Sequence, residues 1–202
     1  MDNYVLYGAG GHAKVVADAL LSDGKTVFTF IDNNKLGQYL GIELNKNIYD
    51  LKFPFSSIIA IGDNEVRKRL SLTIESTYGI VKHSSSVISS LATIGEGSMV
   101  LHHATIQVDC KIGKHIIINT KASIDHDCVI DDYVHIAPGS VLCGNVKVGE
   151  GTFVGAGSTI IPNIKVGKWC TIGAGSVVIK DVPDFAVVVG NPGRIIKYNQ
   201  HG

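Results

Sequence analysis

Aliphatic residues recur at every sixth position through the C-terminal half of the chain. The series has sixteen members and no interruption: Ile88, Ile94, Val100, Ile106, Ile112, Ile118, Ile124, Ile130, Ile136, Leu142, Val148, Val154, Ile160, Val166, Ile172 and Val178. A period of six fits neither strand alternation nor a helix. It is typical of a parallel β-helix, in which three short strands form one coil and stacked coils share an internal aliphatic ladder. The pattern therefore predicts a β-helix domain over residues 85–202, which ends in a C-terminal tail.

The other hexad positions agree with this prediction. Small side chains, such as Ala104, Ser140 and Cys170, mostly stand two residues before the aliphatic. Glycine or a short polar residue, such as Gly95 or Gly149, often follows it. Since such residues tolerate unusual backbone angles, we expect them to form the sharp corners between strands.

Residues 1–84 follow a different pattern, which predicts a small Rossmann-like βαβ unit. Residues 4–7 form an apolar, β-rich run that leads into a glycine-rich turn ending at His12, and apolar residues then recur at helical spacing before a second strand over 27–31. A further strand is predicted over 58–61. The segment Gly62-Asp63-Asn64 is then expected to cap a helix over 65–74.

The glycine turn before the first predicted helix is a candidate anion site. Backbone N–H groups at Gly10 and Gly11, together with His12, are placed to hold phosphate groups at a helix N-terminus. A dinucleotide fingerprint would need a third glycine where Ala13 stands, so the turn favours a nucleotide-linked substrate over NAD or FAD. A tight turn without a ligand is the alternative.

Charge and composition narrow the class of protein. The formal net charge is zero, and no basic run points to nucleic acid or to an anionic membrane surface. No apolar stretch reaches the roughly 20 residues of a membrane span, and the first residues do not resemble a signal peptide. The four cysteines form no CxxC pair, which is usual for fillers of a reduced protein. We expect a cytoplasmic location.

His126 is the strongest candidate for catalysis because it stands between Asp125 and Asp127. A neighbouring carboxylate raises the pKa of an imidazole and fixes its tautomer, which suits a general base. Gly144 lies three hexads later and should stack directly on His126, leaving room and a free N–H for a substrate carbonyl. A solvated, charge-paired corner histidine is the alternative interpretation.

The chain resembles the bacterial left-handed β-helix acyltransferases, and specifically the nucleotide-aminosugar N-acetyltransferases of bacillosamine and perosamine type, which share a two-domain layout with sialic acid O-acetyltransferases. The segments that carry the resemblance are Tyr7-Gly8-Ala9-Gly10-Gly11-His12, Phe30-Ile31-Asp32-Asn33, Ile59-Ala60-Ile61-Gly62-Asp63-Asn64-Glu65-Val66-Arg67-Lys68, Asn119-Thr120, Asp125-His126-Asp127-Cys128-Val129-Ile130, Val134-His135-Ile136, Gly144-Asn145-Val146-Lys147-Val148-Gly149 and Gly190-Asn191-Pro192-Gly193-Arg194.

This resemblance implies a left-handed β-helix, a homotrimer with active sites between subunits, and acetyl transfer from acetyl-CoA without a metal. His126 would be the general base, Asp127 would raise its basicity, and the Gly144 amide would stabilise the oxyanion. The implied cofactor-binding residues are His135, Ala156 and Ala174. The implied substrate-binding residues are Gly11, His12, Ala13, Asp32, Asn33 and Gly62.

The resemblance also implies that the acceptor is the 4-amino group of a nucleotide-linked amino-deoxysugar, on the route to a surface glycan such as a lipopolysaccharide O-antigen. UDP is slightly favoured over dTDP and GDP, although Asp32-Asn33 replaces a pair of acids and Asp127 replaces a glutamate. The alternatives are a sialic acid O-acetyltransferase, a zinc enzyme of the carbonic anhydrase type and a non-catalytic trimeric scaffold.

Overall fold

The structure is a computed structural model that describes residues 3–35, 37–46 and 54–200. Its first part is an α/β unit, as predicted. The elements of this unit are β1 (Asn3–Tyr7), α1 (Gly11–Ser22), β2 (Thr26–Ile31), β3 (Gln38–Tyr39), β4 (Ile42–Asn45), β5 (Ser56–Ile59) and α2 (Asn64–Thr73). The strands form one sheet in the order β3-β4-β2-β1-β5, in which only the β3–β4 pair is antiparallel. Strand β5 begins and ends two residues before the predicted strand.

The second part is a parallel β-helix, which confirms the prediction from the six-residue period. Sixteen two-residue strands each end on one ladder aliphatic. They are β7 (Val87–Ile88), β8 (Thr93–Ile94), β9 (Met99–Val100), β10 (Thr105–Ile106), β11 (Lys111–Ile112), β12 (Ile117–Ile118), β13 (Ser123–Ile124), β14 (Val129–Ile130), β15 (His135–Ile136), β16 (Val141–Leu142), β17 (Lys147–Val148), β18 (Phe153–Val154), β19 (Thr159–Ile160), β20 (Lys165–Val166), β21 (Thr171–Ile172) and β22 (Val177–Val178).

These strands build the three faces of a prism. Face 1 contains β7, β10, β13, β16, β19 and β22, and face 2 contains β8, β11, β14, β17 and β20. Face 3 begins with β6 (Val81–Lys82), continues through β9, β12, β15, β18 and β21, and ends with β23 (Ala186–Val189) and the antiparallel β24 (Arg194–Tyr198). Because β6 pairs with β9, face 3 starts before the first hexad.

The ladder is the core of the prism. From Val100 to Val178 every ladder side chain is at most 4% exposed, whereas Ile88 and Ile94 at the open end are partly buried. Burial of each such side chain contributes about 1.5–3 kcal/mol relative to exposure. A single hexad cannot bury its own aliphatic residue, so this stabilisation depends on stacking of the coils.

Hydroxyl and thiol groups at the small hexad position have a structural role. The hydroxyls of Ser98, Ser140 and Thr152 donate to the carbonyl oxygens of Gly113, Gly155 and Gly167, at 2.9, 2.8 and 2.8 Å. The thiols of Cys110 and Cys128 donate in the same way to the carbonyls of Asp125 and Cys143. A small donor at this position therefore satisfies a corner carbonyl, and Cys110 and Cys128 serve as such donors.

The predicted reason for glycine after the aliphatic is wrong. Positive φ occurs three residues after the ladder aliphatic, for example at Asp109 (59°), Asp127 (61°) and Asn145 (58°). Glycine directly after the aliphatic instead permits close approach of coils. A Cβ on Gly95 would lie 2.6 Å from the Gly113 carbonyl oxygen.

A buried arginine fixes the α/β unit to the prism. The side chain of Arg67, in α2, is fully buried, and its Nε donates to the His115 carbonyl at 2.7 Å and its Nη2 to the Tyr133 carbonyl at 2.8 Å. Its Nη1 donates to carbonyls at the start of the same helix, including Ile61 at 3.0 Å. Burial lowers the pKa of Arg67 to about 9, against the opposing effect of Asp63. The guanidinium is thus satisfied almost entirely by backbone oxygens from both sides of one interface.

Apolar contacts strengthen this interface. Met99, Leu101 and Ile117, from the start of face 3, belong to the same buried cluster as Leu6 and Phe30 of the α/β sheet. No helix within the described residues is long and apolar enough to cross a membrane.

Candidate active site

His126 and Asp127 form a hydrogen-bonded pair at the corner that follows β13. The Nδ1 of His126 lies 2.7 Å from Oδ2 of Asp127, and both side chains are more than half exposed. The hydrogen bond with Asp127, and then the charge of Asp125, raise the pKa of His126. With the proton on Nδ1 directed at the carboxylate, Nε2 presents its lone pair to a substrate.

Gly144 stacks on His126 in the next coil, as its spacing predicts. A Cβ on Gly144 would lie 2.6 Å from Cε1 and 2.7 Å from Nε2 of His126. The amide of Asn145 donates to the His126 carbonyl at 2.9 Å, which fixes the coil spacing. Within the described residues the Gly144 N–H donates to no acceptor, so it is available to a ligand.

The glycine turn leaves the N-terminus of α1 uncapped. Gly10 makes no side-chain cap, and the first turn contains no acidic residue. The side chain of Asp32 supports this turn: its two oxygens accept the amides of Ala9 and Asn34, each at 2.9 Å. Asn33 is exposed beside it, and Ala13 is buried under the helix. The free N–H groups of the first turn are suited to a phosphate.

Three residues near this turn carry no signal in the sequence pattern. The hydroxyl of Tyr39 donates to the Gly10 carbonyl at 2.6 Å, and the Lys35 ammonium donates to the Ala9 carbonyl. The ammonium groups of Lys14 and Lys35 lie 5.9 and 5.3 Å from the Tyr39 ring centre. Two cations thus flank the uncapped helix end.

The structure brings His12, Gly62 and His135 together across the domain interface. The ring centres of His12 and His135 are 6.3 Å apart, and His135 Nδ1 donates to the Gly62 carbonyl at 3.3 Å. The Asn119 amide lies 3.1 Å from His135 Nε2. Burial, and then Arg67, lower the pKa of His12 to about 4 and that of His135 to about 3. Both imidazoles are therefore neutral at pH 7.

The predicted catalytic and cofactor-binding residues lie at different corners of the prism. We call the stack Val108, His126, Gly144 and Pro162 the base corner, and the stack Thr120, Pro138, Ala156 and Ala174 the alanine corner. Interstrand bonds such as Asn145 N–His126 O and Gly175 N–Ala156 O, at 2.9 and 2.8 Å, define the two stacks. Ala156 and Ala174 are exposed.

The strand order shows where these corners face. The base corner joins face 1 to face 2, so it lies opposite face 3, where the α/β unit is docked. The alanine corner joins face 3 to face 1. One chain therefore does not bring His126 together with His12, His135 or Ala156.

A cleft of about 890 Å³ lies between α2 and the prism. Among the predicted site residues only Gly62 lines it. Its other lining residues include Lys68, Phe153, Trp169 and Phe185. The Lys68 ammonium lies 5.2 Å from the Trp169 ring centre and pairs with Glu150 at 2.5 Å. This cleft has no signal in the sequence because its walls come from segments far apart in the chain.

Comparisons with known proteins agree with this two-part structure. The PglD N-terminal domain family matches residues 3–74, and the bacterial transferase hexapeptide family (six repeats) matches residues 145–180. The structure of PerB from Caulobacter crescentus in complex with CoA and GDP-perosamine is 35% identical, with a TM-score of 0.91 over 96% of this chain and 97% of that one. The chain belongs to the PglD-like hexapeptide-repeat acetyltransferases.

Two further proteins are similar to this PglD-like acetyltransferase. The acetyltransferase domain of PglB from Neisseria gonorrhoeae FA1090, in complex with acetyl coenzyme A, is 32% identical with a TM-score of 0.91 over 96% of this chain and 99% of that one. UDP-N-acetylbacillosamine N-acetyltransferase of Bacillus subtilis (strain 168) is 37% identical over 116 residues, which cover 50% of this chain and 52% of the relative. The chain thus aligns with about half the length of that curated relative.

Proposed function

We propose that this PglD-like acetyltransferase transfers the acetyl group of acetyl-CoA to the 4-amino group of a nucleotide-linked amino-deoxysugar. The observation that carries the proposal is the pairing of His126 with Asp127 at 2.7 Å beside Gly144, where an added Cβ would lie 2.7 Å from the imidazole Nε2. Relatives of similar length support the substrate class, since one was solved with CoA and GDP-perosamine and another with acetyl coenzyme A.

The chemistry follows from these groups. His126 Nε2 accepts a proton as the amine nitrogen attacks the thioester carbonyl carbon, and Asp127 stabilises the imidazolium that forms. The free Gly144 N–H donates to the oxyanion of the tetrahedral intermediate. Collapse of the intermediate breaks the carbon–sulfur bond, and the imidazolium returns its proton to the CoA thiolate. The products are the N-acetylated sugar nucleotide and CoA.

The N-terminal pocket is assigned to the sugar nucleotide. The uncapped amides at Gly11 and His12, flanked by Lys14 and Lys35, are complementary to a diphosphate. Asp32 holds the glycine turn through two amides, which leaves the exposed Asn33 as the side chain that contacts the base or ribose. We assign Gly62, which accepts a hydrogen bond from His135, to the edge of this pocket, and the buried Ala13 to packing beneath the glycine turn.

The separation of the corners supports a homotrimer. His126 lies opposite the docked α/β unit of its own chain, so a second chain must supply the pocket and the alanine corner. We propose that Ala156 and Ala174 line the acetyl-CoA site at that corner. Nδ1 of His135 already contacts Gly62, and Nε2 contacts Asn119. We therefore assign His135 to the wall of the cofactor site, without a hydrogen bond of its own to the cofactor.

We place the reaction in the cytoplasm, on a route to a surface glycan such as an O-antigen. The test is CoA release from acetyl-CoA with UDP-, dTDP- and GDP-linked 4-amino-sugars, and with free sialic acid as the outlying acceptor. Turnover with one sugar nucleotide, UDP-linked by our proposal, is the expected result. Turnover with sialic acid alone would overturn the proposed acceptor. Absence of CoA release with every acceptor tested would overturn the proposed reaction.

A further inference from the structure

Three metal-ligand side chains meet where α1 contacts the first coils of the prism. They are Asp18 in α1, His83 directly after β6, and His102 at the corner after β9. Each offers one ligand atom, and the three atoms lie within 4.8 Å of one another. The proposed acetyl transfer uses none of them.

The contacts within this cluster suit a small cation. His102 Nε2 lies 2.7 Å from Oδ2 of Asp18. The imidazole rings of His83 and His102 stack with their centres 3.7 Å apart and 32° between their planes, so the rings must tilt apart for both to bind one ion. Ligands of a tetrahedral zinc ion with bonds of about 2.0–2.1 Å stand roughly 3.3 Å apart. If an ion replaces the proton shared by His102 Nε2 and Asp18 Oδ2, these two atoms must move apart by about 0.6 Å. Nδ1 of His102 is buried without a hydrogen bond, so no second polar contact opposes that movement.

The other ring nitrogen of His83 is held by Ser85. The Ser85 amide N–H donates to Nδ1 of His83 at 3.0 Å, and the Ser85 hydroxyl lies 2.7 Å from the same nitrogen. The ring proton therefore lies on Nε2 in this structure, and Nε2 becomes a ligand when that proton moves to Nδ1, where the Ser85 hydroxyl can accept it.

An ion can reach the cluster from solvent. Asp18 is exposed, and His83 also lines a surface depression with Asp23, Lys82 and serine residues. Lys82 brings a positive charge to this depression and Asp23 a negative one, so the local field neither attracts nor excludes a cation strongly.

We propose that Asp18, His83 and His102 bind one Zn²⁺ ion that links α1 to the prism, with water in the fourth position. Two imidazoles and one carboxylate are a ligand set that zinc accepts. The ion would join the α/β unit to the prism through α1, whereas Arg67 joins them through α2. Its role would be to stabilise the docked arrangement.

The test is a titration of tag-free, metal-stripped protein with Co²⁺ at pH 7.5, followed by Zn²⁺. We expect one Co²⁺ per chain with visible absorption of a tetrahedral site, displaced by Zn²⁺, and a rise in melting temperature with Zn²⁺. H83Q, H102Q and D18N should each weaken binding by about tenfold or more, since loss of even a residue that only orients a metal ligand costs about 10–100-fold. D18N alters only an exposed helix residue, so it tests the site without unfolding the chain.

Two controls decide where the ion binds. H103Q changes an exposed histidine adjacent to the site and should bind Co²⁺ like the parent protein. H126A removes the other histidine–carboxylate pair and should also leave binding unchanged. Loss of binding in H126A but not in H83Q, or a stoichiometry well below one in the parent protein, would overturn the proposal. Neither result bears on acetyl transfer, which is measured separately.

Discussion

Gly144 stands so close to His126 that no other residue fits without moving the imidazole: a Cβ there would lie 2.7 Å from Nε2. G144A should therefore displace the base and block the approach of the amine to it. We expect a loss of turnover of about 10²-fold or more, of the size seen when a positioned catalytic group is lost, with an unchanged β-helix by circular dichroism.

The control for this substitution is G24N, in the turn after α1. Gly24 has a φ of 71°, and a Cβ added to it would have no other atom within 4 Å. Asn145 shows that asparagine adopts a similar angle in this protein. G24N should retain full activity. Normal turnover in G144A would contradict the assignment of this corner as the reaction site.

His126 is expected to act as a base, so H126A should lower turnover by about 10²–10⁴-fold while leaving the assembly intact. H103A, at another exposed corner histidine, provides the matched control. Steady-state CoA release and size-exclusion chromatography measure the two effects. An H126A enzyme with most of its activity would remove His126 from the mechanism.

Asp127 should set the pH range in which His126 works. The hydrogen bond that His126 donates to Asp127 raises the pKa of His126, and a base must be deprotonated to accept the amine proton. Activity therefore rises with pH through that pKa. In D127N the acidic limb of the pH profile for kcat/KM should move to lower pH, with a reduced plateau because the imidazole is less well held.

Asn at position 127 tolerates the left-handed backbone that Asp127 adopts, so D127N should not disturb the corner. D109N, at the same corner one coil earlier, has the same backbone geometry and should leave the pH profile in place. An acidic limb that does not move in D127N would show that Asp127 does not tune the base.

The buried histidines should make the fold sensitive to acid. Burial and Arg67 lower the pKa of His135 to about 3 and of His12 to about 4, below the ordinary value of 6.5. The unfolded chain therefore binds protons that the folded chain does not between pH 6.5 and about 4, and the free energy of unfolding falls as pH falls through this range. Urea unfolding at about pH 7.5 and about pH 5 should show this loss.

Replacing His135 by glutamine removes one of these groups and should flatten the pH dependence, although H135Q lowers stability at neutral pH by loss of packing. H103Q serves as the comparison, since His103 is exposed. An equally steep dependence in H135Q and in the parent protein would contradict the proposed linkage.

Much of the fold can be predicted from the sequence because its determinants are periodic or local. The ladder depends only on spacing, and the pair His126–Asp127 consists of neighbours. Gly144 can be placed on His126 because stacked residues are a fixed number of positions apart. The glycine-rich turn is recognisable because it is a continuous motif.

Contacts between distant segments carry no such signal. The approach of Lys14 and Lys35 to Tyr39, and the meeting of Asp18 with two histidines, depend on how the chain folds back and how the α/β unit docks. The role of Arg67 is equally hidden, because its partners are backbone carbonyls that every residue possesses. The handedness of the coil likewise does not follow from a period of six, which either hand would satisfy.

Active sites shared between chains can be tested by mixing two inactive variants. His126 lies at the base corner and Ala156 at the alanine corner, and the strand order puts these corners at different edges of one prism. H126A lacks the proposed base. In A156W the indole should block the proposed cofactor site. Because Ala156 is exposed, the larger side chain should not unfold the chain. Each variant alone should be nearly inactive.

In a mixed trimer, one of the three interfaces combines His126 of an A156W chain with Ala156 of an H126A chain. Random assembly of equal amounts should therefore restore roughly a quarter of the parent activity when the variants are co-expressed or refolded together. Mixing pre-formed homotrimers without exchange is the control and should restore none. Failure of the co-assembled sample to recover activity, with mixed trimers verified by mass spectrometry, would show that each site is built within one chain.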